Sequence, residues 1–254
     1  MKKNHLLIPC LAASLFLFTG CSSQSQTAQT QTTKAQTEQS QSQTAQTEDA
    51  EKNIGAIQVR DGEGYTNENG TMSADIVRPV FVDSSGKELN IPANKEISQY
   101  IDSLIEEYKE KTEENYFIST SYEVTHDGSQ YLSLRMITTS IMASADESFH
   151  TYTIDKKDGE TVSLMDLLGD EAALEKVSQN ILSQMQAQME ADDTVSYFIS
   201  PENEDGFTGL TGNESFYLNK DNSLVVAFDE STVAPGSMGT VEFTIPEDVT
   251  GTFN

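Results

Sequence analysis

Residues 116–136 read YFISTSYEVTHDGSQYLSLRM, and this stretch decides the fold. Apolar and polar residues alternate on both sides of the dipeptide Asp127-Gly128. Alternation with a period of two is typical of strands with one buried face, and an Asp-Gly pair between two such runs favours a tight hairpin. The stretch therefore predicts two antiparallel strands. Their inward residues are Tyr116, Ile118, Thr120, Tyr122 and Val124 in the first strand, and Leu132, Leu134 and Met136 in the second.

Two amphipathic helices are predicted on either side of this hairpin, one around residues 97–108 and one around residues 174–189. In each, apolar residues recur at helical spacing while charged or polar residues fill the other face. The first apolar stripe is Ile97, Ile101, Leu104, Ile105 and Tyr108, and the second is Leu174, Val177, Ile181, Met185 and Met189. Asp170 stands where it can cap the second helix. The methionines at this spacing are interpreted as core residues.

The remaining alternating runs complete an α+β fold, with two amphipathic helices packed on an antiparallel sheet. Further strands are expected around residues 54–59, 74–82, 149–154, 216–218, 224–228 and 241–245. The order is strands, helix, three antiparallel strands, helix, strands. A boundary near residue 160 divides the body into an N-terminal module, residues 54–160, and a C-terminal module, residues 161–254. These modules are either two subdomains or two halves of one core.

The N-terminus predicts a lipoprotein signal peptide over residues 1–20. Two lysines precede an apolar run at residues 6–18, which is too short to span a bilayer as a helix and fits the apolar region of an export signal. The run ends in Phe18-Thr19-Gly20-Cys21, where a small residue precedes cysteine, so Cys21 is the expected lipidation site. The alternative is ordinary secretion with cleavage nearby. The lipid would hold the protein at the extracytoplasmic face of the cell membrane, in a Gram-positive envelope.

Residues 21–53 are expected to form a disordered tether. They consist almost entirely of Ser, Gln, Thr, Ala, Glu and Lys, and the string SQTAQT occurs twice. A segment without apolar periodicity cannot offset the entropy of ordering by burial. We interpret it as a spacer between the lipid and the folded body.

Charge restricts the partner class. The chain has 41 acidic and 15 basic residues and a net charge of −26; removal of residues 1–20 takes two lysines and no acid, which gives −28. Nucleic-acid binding is therefore excluded as an expected function, because a polyanion would be repelled. Residues 160–254 alone hold 18 acids and two bases. This excess favours a cationic protein as the partner.

One stretch of the acidic half, residues 192–215, lacks clear periodicity and mixes acids, aromatic rings and glycines. Long ordered loops in compact domains are often functional, and acids beside aromatic rings suit a cationic protein, because charges steer the encounter while rings anchor it. The candidate contact residues are Tyr197, Glu202, Glu204, Asp205 and Phe207. The alternative is a solvated acidic loop that keeps the protein soluble.

No catalytic site is predicted, and the chain is not expected to be an enzyme. After removal of the signal only His126 and His150 remain as histidines, and no hydrolase, zinc-protease or phosphate-loop motif occurs. No cofactor and no metal is expected. Residues 155–160 and 202–206 could attract Ca²⁺, but neither has EF-hand register, and solvated turns are the preferred reading. A hydrolase would need one of the two histidines beside a nucleophile in a cleft.

The C-terminal half resembles the RsiV-type domain. The resemblance rests on Phe216-Tyr217-Leu218, residues 224–228, Val233-Ala234-Pro235-Gly236 and Val241-Glu242-Phe243-Thr244-Ile245-Pro246; residues 121–125, 151–159 and 164–168 resemble the companion N-terminal module. That domain occurs in the extracellular part of the anti-sigma-V factor RsiV and beside the catalytic domain of the peptidoglycan deacetylase PdaC.

The resemblance, which extends over roughly residues 75–248, implies an α+β envelope domain. From RsiV it implies binding of lysozyme, a cationic protein. Pro235 and Met238 join the candidate contacts; this sequence departs from the family there, because the loop after Pro235 reads Gly236-Ser237-Met238 where relatives often place an aromatic residue. We expect no sequestration of a sigma factor and no deacetylase activity, since the sequence shows neither the family's membrane helix nor a deacetylase domain. The second reading is a peptidoglycan-associated envelope module without catalysis.

Overall fold

The computed structural model describes residues 56–112, 115–200 and 206–253, all of which belong to one folded unit. Cys21, the predicted signal peptide and the predicted tether lie outside the described residues. The strands are β1 Gln58–Asp61, β2 Tyr65–Asn69, β3 Met72–Ile76, β4 Pro79–Val82, β5 Phe117–Asp127, β6 Tyr131–Ile141, β7 Ala145–Asp155, β8 Ser215–Leu218, β9 Leu224–Phe228 and β10 Val241–Thr244. The helices are α1 Pro92–Glu110, α2 Leu164–Leu168, α3 Glu171–Ala191 and α4 Glu247–Thr250. The fold is α+β, as predicted.

The largest sheet has five strands in the order β2-β3-β5-β6-β7. Its centre is the predicted hairpin, in which β5 and β6 pair around the turn at Asp127-Gly128. All neighbouring strands are antiparallel except β3 and β5, which run parallel. A parallel pair needs a long crossover, and here the crossover consists of β4 and α1. The sequence-based expectation of an antiparallel sheet therefore holds apart from this one pair.

Helix α1 covers one face of the five-stranded sheet. Its predicted stripe is buried against alternate residues of β5 and β6, so that Ile97 and Ile101 are essentially inaccessible. Pro92 stands in the first turn, where a missing N–H costs nothing. The side chain of Asn94 is buried on the same helix: its Oδ1 accepts a hydrogen bond from Phe81 N (2.8 Å), and its Nδ2 donates to Phe81 O and Leu89 O (both 2.8 Å). Asn94 thus fastens α1 to β4.

Helix α3 covers the three-stranded sheet β10-β9-β8. Asp170 caps the helix as predicted, because its Oδ1 accepts a hydrogen bond from Ala173 N at 2.8 Å. Met185 is completely buried in the core between α3 and the sheet, which confirms the interpretation of that methionine as a core residue. Two apolar cores result, one formed by residues 57–154 and one formed by residues 164–245.

A polar layer joins the two sheets, because β8 lies against the face of β6 and β7 that α1 leaves free. Leu218 N donates to Ser133 Oγ (3.1 Å), and Phe216 N donates to Thr151 Oγ1 (3.1 Å). Hydroxyl groups of the larger sheet thus satisfy backbone donors on the open edge of β8. The two modules predicted on either side of residue 160 remain a prediction, but their cores are bound together by this layer.

Arg135 lies in the middle of the polar layer, and we call it and its three polar neighbours the Arg135 clasp. Its guanidinium donates to Glu242 Oε1 at 2.8 Å and to the Tyr217 hydroxyl at 3.4 Å, and it lies 3.6 Å from Glu123 Oε2. It also lies over the rings of Phe149 and Tyr217. Burial alone would lower the pKa of Arg135, but the Glu242 carboxylate raises it. Burial raises the pKa of Tyr217 to about 12.

The N-terminal strands differ from the sequence-based expectation. The run at residues 74–82 is two strands, β3 and β4, which belong to different sheets, and β1 pairs with β4. Strand β2 was not predicted, because Tyr65–Asn69 is polar and largely exposed at the edge of the sheet. Edge strands bury little, so they leave little apolar pattern in the sequence. Among the described residues no helix is both long and apolar enough to cross a bilayer.

Candidate partner-binding surface

Three loops meet at one end of the three-stranded sheet, and we call residues 192–200, 206–212 and 229–240 together the loop surface. Backbone hydrogen bonds hold them together: Phe198 N donates to Val233 O (2.8 Å), and Phe207 N donates to Phe198 O (2.7 Å). The sulfur of Met238 lies 3.4 Å from Ser196 N. A single 3₁₀ turn, Gly236–Met238, follows Pro235. Four of the seven predicted contact residues, Tyr197, Phe207, Pro235 and Met238, are brought together here.

The aromatic residues of this surface face mainly inward. Tyr197 is only 6 % exposed; its ring packs 5.7 Å from that of Phe243, and its hydroxyl donates to Gln188 Oε1 at 2.7 Å. Phe207 is partly exposed and meets the ring of Phe228 edge-on. The rings therefore fix the loops to the core. Pro235 and Met238 are partly exposed, which leaves them and the open side of Phe207 as the accessible apolar part.

The other three predicted contacts, Glu202, Glu204 and Asp205, lie outside the described residues. The residues that flank this segment are held by backbone contacts. Ile199 forms a β-bridge with Phe207, and Ser200 N donates to Phe207 O at 3.3 Å. The described residues on both sides of the acidic segment, residues 200 and 206, therefore belong to the loop surface. The role of that segment in partner binding stays a prediction.

Carboxylates dominate the charge of the loop surface, whose three segments contain no lysine, arginine or histidine. Asp192, Asp193 and Asp229 are exposed, and Glu230 is partly exposed. Within the described part of the chain none of them forms an ion pair with a lysine or arginine. The Thr194 hydroxyl and the Thr194 backbone N–H lower the pKa of Asp192. The surface thus offers negative charge without internal compensation.

The tip of the β6–β7 hairpin has exposed apolar side chains. Ile141 is 39 % exposed and Met142 is 53 % exposed, and Asp146 and Glu147 follow them on the exposed start of β7. Phe149 N donates to Asp229 Oδ1 at 3.0 Å, so the hairpin is tied to the loop surface. Sequence reasoning missed the tip because it started this strand only at residue 149. The signal was the pair Ile141-Met142 between the small residues Ser140 and Ala143.

The two histidines lie on opposite faces of the five-stranded sheet. His126 is 4 % exposed, and its Nδ1 lies 3.2 Å from Asn219 O. The ring of His150 stacks on Tyr100 with 3.8 Å between centroids. Burial lowers the pKa of each. Among the residues that the structure describes, no nucleophilic side chain forms a hydrogen bond with either ring. The same residues include no group of three or more His, Cys, Asp or Glu side chains that could hold a metal ion.

The described part of the chain is thus a mixed α+β body with an acidic loop surface, and comparison with known proteins gives its family. Residues 165–248 match a family described as "Protein of unknown function (DUF3298)". Over 186 residues, 72 % of this chain, the sequence is 34 % identical to anti-sigma-V factor RsiV of Bacillus subtilis strain 168. The chain contains an RsiV-type domain. It spans 65 % of the length of that relative.

Two solved structures are similar to this chain. A DUF3298 family protein from Pseudomonas aeruginosa PAO1 superposes with a TM-score of 0.54 at 13 % identity, covering 78 % of this chain and 93 % of that one. A member of the same family from Bacteroides fragilis NCTC 9343 gives 0.49 at 18 % identity, with the same coverage. The first of these likenesses supports the fold alone.

Proposed function

We propose that this protein is a lipid-anchored protein of the cell envelope whose RsiV-type domain binds a cationic protein, with lysozyme as the first candidate. The observation that carries the proposal is the loop surface, where exposed carboxylates lie beside partly exposed apolar side chains and no cation of the described chain neutralises them. Such a surface attracts a cationic partner at long range and holds it by apolar contact. Similarity to RsiV supports the same partner class.

The proposed biological role takes into account how much of RsiV this chain matches. It spans 65 % of the length of RsiV, so control of a sigma factor is not carried over. We propose a decoy or protective role, in which captured lysozyme is kept from the cell wall. Lipid attachment at Cys21 and the spacer over residues 21–53 would hold the domain at the extracytoplasmic face, where it would meet such a partner.

The test is binding of hen egg-white lysozyme to the full chain by biolayer interferometry over a salt series. The Debye length falls from about 10 Å at 0.1 M to about 3 Å at 1 M salt, so steering by charge should be lost at high salt. We expect binding at low salt with an association rate that falls steeply as salt rises, while dissociation changes less. Absence of binding at low salt contradicts the proposal.

Matched variants separate the loop surface from general acidity. The first neutralises Glu202, Glu204 and Asp205 as Gln, Gln and Asn. The control neutralises three exposed acids far from the loop surface, Glu68, Glu106 and Glu110, to the same net charge. The first variant should lose at least about tenfold in affinity, equivalent to about 1.4 kcal/mol, and the control much less. Equal losses would show that only net charge matters.

A third variant tests the apolar part. Met142→Ser removes an exposed thioether at the hairpin tip, where no core packing is lost, and should speed dissociation of lysozyme without changing the melting temperature. Unchanged dissociation would remove the hairpin tip from the surface.

The peptidoglycan reading and the anchor have their own tests. Co-sedimentation of the full chain with purified cell wall in the absence of lysozyme would favour the wall-associated module. Metabolic labelling with a fatty acid, compared between the wild type and Cys21→Ser, tests lipidation. Label that persists in the Cys21→Ser protein would overturn this part of the proposal.

A further inference from the structure

A groove of about 400 Å³ runs between α1 and the turn that joins β1 to β2, in the N-terminal core and separate from the loop surface. Four of its lining residues, Ser98, Asp102, Ile105 and Lys109, recur at helical spacing and so form one stripe of α1. The opposite wall includes Arg78 and Tyr65. A cavity of this size is in the range of small-molecule sites.

Arg78 is the residue of this groove whose contacts indicate that an anionic ligand binds there. Its side chain is 18 % exposed, close to the 21 % of Arg135, so both guanidinium groups are similarly removed from water. Arg135 has a carboxylate at 2.8 Å. Among the described residues, the carboxylate nearest to Arg78 is that of the half-exposed Glu88, at 3.5 Å, and the Arg78 guanidinium donates to Ser98 Oγ at 3.3 Å. Both distances exceed those of strong charge-assisted hydrogen bonds.

The position of the Arg78 side chain depends on the absence of a side chain at Gly62. The guanidinium lies over Gly62: a Cβ on this glycine would lie 3.0 Å from Arg78 Nε and 2.3 Å from Val80 Cγ2. The Nε atom is buried and has no hydrogen-bond partner, which is also true of Arg135 Nε, so the two arginines differ in the contacts of their terminal nitrogens. A desolvated cation with weak partners is costly unless an anion completes its coordination. The groove is where such an anion can reach it.

The other side of the groove supplies a complementary charge. Asp102 is exposed and lies one turn of α1 after Ser98, the residue that contacts Arg78. The backbone positions of Ser98 and Asp102 are therefore roughly 6 Å apart along the helix axis. The buried side chain of Ile101 and the partly exposed Ile105 provide an apolar floor. A free amino acid carries its two charges on one carbon, whereas two residues of extended chain span roughly 7 Å. The spacing therefore fits a dipeptide.

We propose that this groove binds a dipeptide-sized zwitterion, with the carboxylate on Arg78, the ammonium group on Asp102 and an apolar side chain on the isoleucine floor. The site does not depend on the partner proposed for the loop surface.

The test is isothermal titration of the full chain with Ala-Leu, Ala-Leu amide, N-acetyl-Ala-Leu and free leucine. Ala-Leu should bind, and the amide, which lacks the carboxylate, should bind at least about tenfold more weakly. The acetylated peptide and free leucine should each bind more weakly than Ala-Leu. Equal affinity for acid and amide, or no binding of Ala-Leu at millimolar concentration, overturns the proposal.

Variants assign the two ends of the ligand. Arg78→Gln should abolish the preference for acid over amide, whereas Arg60→Gln, an exposed arginine on β1, should leave it unchanged. Asp102→Asn, on the exposed face of α1, should weaken Ala-Leu but not N-acetyl-Ala-Leu, and it keeps the test valid if Arg78→Gln does not fold. A preference for the acid that survives in folded Arg78→Gln, or equal weakening of both peptides by Asp102→Asn, contradicts the assignment.

Discussion

Replacing Arg135 by methionine should destabilise the protein by about 3 kcal/mol, because this one side chain bonds across the two sheets. A charge-assisted hydrogen bond such as the 2.8 Å contact to Glu242 contributes about 1.5–3 kcal/mol. The positions over Phe149 and Tyr217 add about 0.5–1 kcal/mol each. These contributions share one guanidinium and are not additive, and methionine keeps part of the packing of the stem.

The assay is urea unfolding followed by far-UV circular dichroism, with a double-mutant cycle to Glu242→Gln. The coupling energy should be about 1–2 kcal/mol, because each single variant leaves the other partner without its charge. Lys220→Met is the matched control: Lys220 contacts Glu123, an acid of the same clasp, at 2.7 Å, but it is 75 % exposed. Exposed pairs contribute about 0–1 kcal/mol.

Two results would refute this reasoning. One is a loss in Arg135→Met no larger than that in Lys220→Met, which would mean that burial does not strengthen the clasp. The other is a coupling energy with Glu242 near zero. A biphasic transition in Arg135→Met alone would show in addition that the clasp makes the two cores unfold together.

Three further outcomes follow from single sites. Asn94→Ala should cost about 2–4 kcal/mol by urea unfolding, since it leaves buried backbone groups of β4 and the following loop without partners; a loss below 1 kcal/mol would contradict this. Gly212→Ala should lower the melting temperature more than Gly169→Ala, because both have positive φ but only the Cβ at residue 212 would lie 2.9 Å from Met165 Cβ. Burial lowers the pKa of His126, so the unfolded chain takes up a proton first as pH falls below about 6.5; stability should therefore drop from pH 7 towards the folded pKa, and less steeply in His126→Gln. Equal slopes would refute the last prediction.

The hairpin at Asp127-Gly128 shows how much of the fold the alternation of apolar and polar residues predicts. Its register follows from an alternation that only one pairing can bury, because a slip by one residue would turn every inward side chain to the other face. The stripes of α1 and α3 are local in the same way, since residues at helical spacing share a face whatever they pack against. Such elements were predictable with little knowledge of the rest of the chain.

The partner-binding surface was predictable only in part. Acidic composition and aperiodic loops pointed to residues 192–215 before the fold was known, but the same pattern did not reveal that Tyr197 packs on Phe243 rather than facing a partner. The exposed β6–β7 tip exists because β7 begins at Ala145, four residues before the predicted start at residue 149. The hydrogen bond between Phe149 of β7 and Asp229 joins residues that are 80 positions apart in the chain. Alternation and composition contain no information on such distant contacts.

The order of apolar and polar residues specified the α+β class, the central hairpin, both long helices and the acidic character of the C-terminal half, because each depends on neighbours within a few residues. Tertiary structure alone decided that β3 and β5 run parallel, that β8 bonds to hydroxyl groups of another sheet, and that Arg135 has a carboxylate at 2.8 Å while the carboxylate of Glu88 lies 3.5 Å from Arg78. These features depend on side chains that meet from distant parts of the chain, where the distance between two atoms, and not the type of residue, sets the energy.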